Sequence, residues 1–380
     1  MIVAQFPVIE ISGTAFERGR QHGTRARARI ERSIAHYASL FGFCGIGWVE
    51  AQRLGAAYRG VIGEFAAELL QEIEGVAAGA GRAADEILAL NARTEILPPT
   101  FPGKPTGEWL ASRLGRAADP GECTAIAVSP ARSATGGALL AQNWDWLGTQ
   151  REALVLLRIR EPDGRSCLTL TEAGMLAKIG LNDRGLGVCL NILRSEDDGA
   201  QPGVPVHVLL RALLRRASVK DAIEFSSRIR AGASSNILCA DASGDAAALE
   251  LAPSGVHVVR DPGGALCHTN HFLAPAALRA EVAPPPSLSS QPRLECARRH
   301  AASHSKLGIA ELQALLRDES DGFLSVCRRP DPSLPEAARI ESVASVIMEL
   351  ARGVMHVAPG IPSQTDYRSV ALAGEPALSA

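Results

Sequence analysis

The stretch DPGECTAIAVSP, residues 119–130, marks the point where the pattern of the chain changes. A Pro-Gly-Glu turn precedes Cys123, and small and apolar residues follow it in an alternating run that is typical of a strand. Before this point apolar residues recur at helical spacing, whereas after it they recur with a period of two. Cys123 is therefore predicted to open a strand, with a predominantly helical segment in front of it.

Length and charge limit the classes of protein that this chain can represent. Its 380 residues suffice for two average domains or for one large α/β domain. A formal net charge of −2 gives no bulk attraction to nucleic acid or to an anionic membrane surface. The N-terminal residues do not form a signal peptide and no apolar run approaches a membrane span, so the expected location is the cytoplasm.

Motifs for metal and cofactor binding are weak. The eight cysteines include no C-x-x-C pair, and most are expected to be buried small hydrophobic residues. His268 and His271 lie beside a cysteine, and His300 and His304 are four apart, but no Glu completes an H-E-x-x-H motif. No Gly-rich phosphate loop is present. We therefore expect neither a metal nor a cofactor.

The order of predicted elements indicates the fold class. Helices are predicted over residues 14–40 and 48–96, a loop over 97–122, and strands from Cys123 onward. A hairpin turn is expected at 182–185, followed by two helices, and a second loop is expected at 281–292 before two more helices. A final strand hairpin closes the chain. Strands joined by hairpins favour an α+β fold with mainly antiparallel sheets and helices packed over them.

Cys123 allows two interpretations from its local pattern alone. It is either a buried residue that begins a strand, or a nucleophile released by scission of the Glu122–Cys123 bond. In the second case the new α-amine, with a pKa of about 7.7 to 8.0, could take the proton of its own thiol, whose pKa is about 8.5. A conventional Cys-His pair would instead need His268 or His271 nearby, and nothing in the spacing favours either.

Eight separate segments along the chain are informative when taken together and in order: GTAFERGRQHG, EIEGVAAGAGRAADEILALNARTEI, GECTAIAV, AQNWDW, TLTEAG, GLNDRGLGV, PGVPVHVLLRALL and HTNHF. They resemble, in the same order, segments of the isopenicillin N acyltransferase family, also called the acyl-coenzyme A:6-aminopenicillanic acid acyltransferase family. The resemblance runs almost end to end. It implies the four-layer αββα sandwich of self-cleaving N-terminal-nucleophile (Ntn) hydrolases.

The resemblance also implies roles for individual residues. Cys123 matches the nucleophile of both self-cleavage and turnover, and Asp145 matches the acidic residue that holds the new α-amino group. Asn270 matches the asparagine at the oxyanion, and Arg339, in a looser alignment, matches an arginine near the nucleophile. The scissile bond would join Glu122 to Cys123.

Departures from the family pattern bear on the substrate. Glu122 replaces the usual glycine before the nucleophile, and the preceding loop is longer than in the penicillin enzyme. Three alanines replace hydroxyl residues of that enzyme, namely Ala125, Ala252 and Ala338. The lost polar contacts argue against 6-aminopenicillanate as the substrate.

The expected function follows from these matches. Residues 1–122 would form one chain and residues 123–380 a second, which stay associated in one compact fold. The expected activity is hydrolysis of a small N-acyl amine or amino acid conjugate through an acyl-enzyme. Acyl transfer from a thioester such as acyl-coenzyme A to an amine is the alternative. A third hypothesis is a catalytically inactive scaffold protein that never cleaves its own backbone. Assembly into a homo-oligomer is left open.

Overall fold

The computed structural model describes residues 6–97, 123–195, 198–199, 201–275, 289–333 and 339–374. Two sheets organise this part of the chain, one of eight strands in the order β1-β4-β5-β6-β7-β8-β9-β10 and one of six in the order β11-β2-β3-β12-β13-β14. The strands are β1 Val8–Ser12, β2 Cys123–Val128, β3 Leu139–Leu147, β4 Leu154–Arg160, β5 Ser166–Glu172, β6 Ile179–Asn182, β7 Leu186–Ile192, β8 Ser235–Asp241, β9 Ala246–Ala252, β10 Gly255–Val259, β11 Ala265–His268, β12 Ile340–Glu349, β13 Val354–Pro359 and β14 Arg368–Ala371.

Helices cover the outer faces of both sheets. The first six precede the loop, and the other four follow it. They are α1 Ala15–Arg25, α2 Arg27–Phe43, α3 Trp48–Ala56, α4 Arg59–Ala80, α5 Ala84–Asn91, α6 Arg93–Ile96, α7 Val206–Leu213, α8 Val219–Ser226, α9 Ser290–Ser303 and α10 Ile309–Leu316. The helical start predicted at residue 14 is confirmed by a capping box, in which Thr14 and Glu17 bond each other's backbone N–H groups.

Strand alternation separates the two faces of the six-stranded sheet. Ile126 and Val128 of β2 pack with Leu294 of α9 and Leu312 of α10. Alternate residues, such as Ala125, face the large core shared with the eight-stranded sheet and the N-terminal helices. The layers therefore run helix, sheet, sheet, helix, which confirms the predicted αββα sandwich.

Strand pairing matches the expected antiparallel class. Among the strands described, only β1 with β4 pairs in parallel, and the other neighbours are antiparallel. The predicted hairpin between β6 and β7 is confirmed, with Gly185 at φ 82° in the turn. The closing hairpin is confirmed as β12 and β13. β1 belongs to the eight-stranded sheet, so the first segment contributes to the same fold as the rest.

One predicted loop boundary is wrong. The loop expected over 281–292 ends early, because α9 begins at Ser290 and takes Pro292 into its first turn. Proline is tolerated there since its missing N–H would have no intrahelical partner. Most of that loop, and nearly all of the loop predicted over 97–122, lies outside the described residues.

Helices long and apolar enough to cross a bilayer do not occur in the described ranges.

Candidate active site

Cys123 is the first residue of β2 and is 3% exposed. Its backbone N–H donates to Oδ1 of Asn270 at 2.8 Å. Its carbonyl accepts from Nδ2 of Asn191 at 3.1 Å and from the Arg293 guanidinium at 2.7 Å. The strand end is therefore held on both sides of the residue, while the thiol points toward the eight-stranded sheet.

The Asn270 side chain lies at the backbone of Cys123, and its predicted role at the oxyanion stays a prediction. Its Oδ1 accepts from Cys123 and also from Nη2 of Arg293 at 3.0 Å, while Nδ2 donates to the carbonyl of Ile192 at 2.9 Å. Two acceptor bonds fix the orientation of the amide. Its second N–H has no hydrogen bond to the described residues, so it can donate to a bound oxygen.

Asp145 is fully buried near the end of β3. Its Oδ1 accepts from Oγ of Ser342 at 2.6 Å, whereas Oδ2 is buried without a hydrogen-bond partner in the part of the chain described. Burial raises the pKa of this carboxyl to about 7, although Arg293 and the Ser342 hydroxyl act to lower it. The site therefore holds a carboxyl group whose neutral form is favoured by burial.

The Cys123 thiol is a poor nucleophile in these surroundings. Burial raises its pKa to about 11, although Lys178 and Arg293 act to lower it, as does a hydrogen bond from the backbone of Asp145. The thiolate is the reactive species, so the site needs a proton acceptor.

Histidines do not supply that acceptor among the described contacts. His268 is buried with Nε2 at 2.8 Å from Glu250 and Nδ1 at 2.8 Å from the carbonyl of Thr269. His271 bonds Ser290 at 2.7 Å, and burial lowers its pKa to about 4. Within the described ranges, no cluster of three or more His, Cys, Asp or Glu side chains is arranged to hold a metal.

Arg293 is the main site residue that the sequence reasoning missed. It lies on α9, fully buried, and joins the Cys123 carbonyl, Oγ1 of Thr124 at 3.0 Å and Asn270. The loop predicted over 281–292 ends directly before residue 293, so the sequence assigns Arg293 to no helix face. Helical spacing places Arg293 with the buried positions Ser290, Leu294, Ala297 and Ala301, but it does not indicate which groups the guanidinium contacts.

The other predicted residues are placed as follows. Arg339 is partly exposed and donates to the carbonyl of Pro332 at 3.2 Å, and none of its described contacts reaches Cys123. Its role at the nucleophile stays a prediction. Ala125 and Ala252 are buried strand residues. Glu122 and Ala338 lie outside the described residues.

Comparison with known proteins identifies the family. The model of the acyl-coenzyme A:6-aminopenicillanic acid acyl-transferase family matches residues 132–358. The 40 kDa form of acyl-coenzyme A:6-aminopenicillanic-acid-acyltransferase from Emericella nidulans is 32% identical over 329 residues, which is 84% of each chain. The chain belongs to this family. It is accordingly an enzyme, and the predicted relationship is confirmed.

Solved structures with similar folds include two hydrolases. Penicillin V acylase from Agrobacterium tumefaciens is 14% identical with a TM-score of 0.46, over 66% of this chain and 86% of that one. A variant of conjugated bile acid hydrolase from Clostridium perfringens is 13% identical with a TM-score of 0.42, over 66% of this chain and 93% of that one.

Proposed function

We propose that this enzyme cuts its own backbone between Glu122 and Cys123 and then hydrolyses a small N-acyl amine or amino acid conjugate. The observation that carries the proposal is the position of Cys123: a buried thiol opens a strand, its backbone nitrogen bonds Asn270, and a buried carboxyl oxygen without a partner lies close by in Asp145. Scission would turn that nitrogen into an α-amine. Asp145 suits a neighbouring ammonium, because a cation beside its second oxygen would favour the charged carboxylate.

Turnover then uses one residue as nucleophile and base. The α-amine of Cys123 takes the thiol proton, and the thiolate attacks the substrate amide carbonyl to form a tetrahedral oxyanion. The second N–H of Asn270 donates to that oxygen, an interaction worth about 3 kcal/mol in comparable sites. The α-ammonium protonates the leaving amine, and water hydrolyses the resulting thioester.

The bonds to Cys123 also support the geometry of this cycle. Arg293 and Asn191 fix the carbonyl of the nucleophile, and Arg293 fixes the acceptor oxygen of Asn270. With Oδ1 of Asn270 held by Cys123 and Arg293 and one N–H bonded to Ile192, the direction of the second N–H is fixed. Preorganised donors of this kind need not reorganise during the reaction.

The second candidate function is acyl transfer from a thioester, such as acyl-coenzyme A, to an amine. It is favoured by the relationship to an enzyme named as an acyl-coenzyme A acyltransferase. The same residues would serve, and an amine would replace water in the second step. The expected binding partner is a small-molecule N-acyl amide or acyl thioester. The two chains produced by cleavage, residues 1–122 and 123–380, would stay together.

The experiment starts with N-terminal sequencing of the purified protein and denaturing electrophoresis. We expect two chains, the second beginning at Cys123, and an uncut, inactive chain for Cys123→Ala. Cys167→Ala, which changes a buried cysteine of β5 in the eight-stranded sheet, is the matched control and should cleave. An active enzyme without a new terminus at position 123 would contradict the proposal, and an uncut, inactive wild type would favour the scaffold reading.

A panel of N-acyl amines, assayed with and without a competing amine, separates the two candidates. Release of free acid alone supports the hydrolase. Formation of a new amide alone supports the transferase.

A further inference from the structure

The first cleavage poses a problem that the mature cycle does not. Before scission the nitrogen of Cys123 is an amide, which cannot accept a proton from the thiol. The thiol nevertheless has a raised pKa because it is buried. If the enzyme cleaves itself as proposed above, on which this inference rests, some other group must take the thiol proton in the uncut chain.

Strand geometry shows which groups share the side of the thiol. Cys123 is directly opposite Trp144 in the antiparallel β2–β3 pair, so both side chains project from the same face. Both belong to the core shared with the eight-stranded sheet. Asp145 is the next residue of β3, so its side chain projects to the opposite face, where Ser342 and Arg293 interact with it.

Lys178 comes from the eight-stranded sheet and covers this face. It directly precedes β6, is 2% exposed, and places Nζ 3.7 Å from the centre of the Trp144 ring. After burial, it is the strongest influence on the pKa of the Cys123 thiol, ahead of Asp145 and Arg293. Lys178 therefore lies across the interface between the two sheets from Cys123. Its ammonium group lies over the ring of Trp144, the residue opposite Cys123 in the β2–β3 pair.

Charged and titratable side chains from several elements surround Lys178. Glu172 of β5 lies 3.6 Å from Nζ and also 3.6 Å from Nη2 of Arg93, so one carboxylate faces two cations. Tyr37 of α2 donates to the same carboxylate, and His207 of α7 lies within electrostatic reach. Burial and Arg93 lower the pKa of Lys178 to about 7, against Glu172 and Cys123, which raise it.

We propose that Lys178 is the proton acceptor for self-cleavage. Neutral Nζ takes the proton of Sγ of Cys123, and the thiolate attacks the carbonyl carbon of Glu122. The oxyanion then collapses, the C–N bond breaks, and the Lys178 ammonium returns its proton to the departing nitrogen. The products are a thioester and the new α-amine, and water releases the carboxylate of Glu122 and the free thiol.

In this assignment, self-cleavage and turnover use different amines as the proton acceptor. Lys178 serves the single cleavage event, when no α-amine exists. The α-amine of Cys123 serves every later turnover. A buried lysine suits the first role because its pKa shifts readily toward neutrality, whereas arginine stays charged.

The first test uses the wild-type chain, made by pulsed cell-free synthesis, with the rate of cleavage followed from pH 6 to 9 at two temperatures. We expect the rate to rise through an inflection near pH 7 as Lys178 loses its proton. Ionisation of an ammonium is strongly endothermic, whereas that of a carboxyl group is nearly thermoneutral. The inflection should therefore move to lower pH on warming; a rate independent of pH, or an inflection that ignores temperature, would overturn the assignment.

The second test compares variants of the full chain. Lys178→Arg keeps the positive charge but not the basic form, and Lys178→Met keeps the apolar stem alone. Both should cleave about 100-fold more slowly or worse. Lys220→Met, at an exposed position of α8, is the control for lysine removal and should cleave like the wild type.

The outcomes separate this inference from the proposed function. Cleavage of Lys178→Arg at the wild-type rate, with the chain folded by circular dichroism, overturns the role of Lys178 while leaving the proposed function intact. Failure of the wild type and the Lys220 variant to cleave refutes the proposed function itself. Should the Lys178 variants not fold, the wild-type pH and temperature profile decides alone.

Discussion

At the scale of single residues, the site combines a buried acid, a buried thiol and buried cations whose ionisation states depend on one another. Asp145 is the clearest case, because its folded pKa of about 7 lies above the unfolded value near 4. Between these values the folded chain holds a proton that the unfolded chain has lost. The contribution of Asp145 to stability therefore decreases as pH rises from about 4 to about 7.

This linkage gives a prediction for Asp145→Asn, made in the Cys123→Ala background so that no α-ammonium complicates the comparison. The substitution should benefit stability by at least about 1 kcal/mol more at pH 8 than at pH 5, since only the carboxyl group becomes charged. Urea unfolding of the single and double variants at both pH values measures the difference. The same effect at pH 5 and pH 8 would show that Asp145 is not held neutral by burial.

At the scale of elements, α1 and α4 pack with their backbones in contact. A Cβ added at Gly19 would lie 2.0 Å from the carbonyl oxygen of Glu72, and one added at Gly75 would lie 2.3 Å from that of Phe16. The contact is between backbone atoms, which cannot move aside as a side chain would. Gly19 and Gly75 are thus explained by helix packing rather than by catalysis.

Gly19→Ala should therefore separate the two helices and destabilise the protein by about 1 to 3 kcal/mol or more, through overpacking. Gly60→Ala is the matched control. Gly60 also lies in α4, is exposed, and has open space around an added Cβ, so alanine should be neutral or stabilising by about 0.5 to 1 kcal/mol. Thermal unfolding of both variants checks this, and equal losses would contradict the packing argument.

At the scale of the whole molecule, a buried charge network joins the segments on either side of the proposed cleavage site. Glu72 of α4 bonds Arg18 at 2.6 Å and Arg211 of α7 at 3.3 Å. Arg211 continues to Glu161 at 2.7 Å, and Arg215 contacts both Glu161 and Glu68. The network spans the proposed chain boundary, and salt screens such buried pairs weakly.

The cleaved chains should accordingly stay together through size-exclusion chromatography in 1 M salt. Glu72→Gln should destabilise the protein by about 3 to 5 kcal/mol, since it leaves the buried Arg18 without its carboxylate and Arg211 with Glu161 alone. Glu74→Gln removes a partly exposed partner of Arg59 and should cost about 1 kcal/mol at most. Urea midpoints measure both changes, and separation of the chains in salt would contradict the proposed association.

The site shows where prediction from sequence stopped. Cys123, Asp145 and Asn270 were predicted because each lies in a short segment that resembles a family motif, and their roles stay predictions. Arg293 and Lys178 were not found, since an arginine in a helix or a lysine after a turn carries no local sign of what it will face. Their partners lie 170 residues away in the case of Arg293, and across a sheet interface in the case of Lys178.

The sequence alone determined the order of helices and strands and the hairpins, because these depend on local periodicity and on turn residues. The αββα layers followed only from the resemblance of several segments to a known family. Tertiary structure alone decided which charged side chains meet. Burial and charge pairing depend on distances between elements far apart in the chain, and no local pattern encodes them. For that reason only the folded protein brings Lys178 to the face of the thiol and Arg293 to its carbonyl.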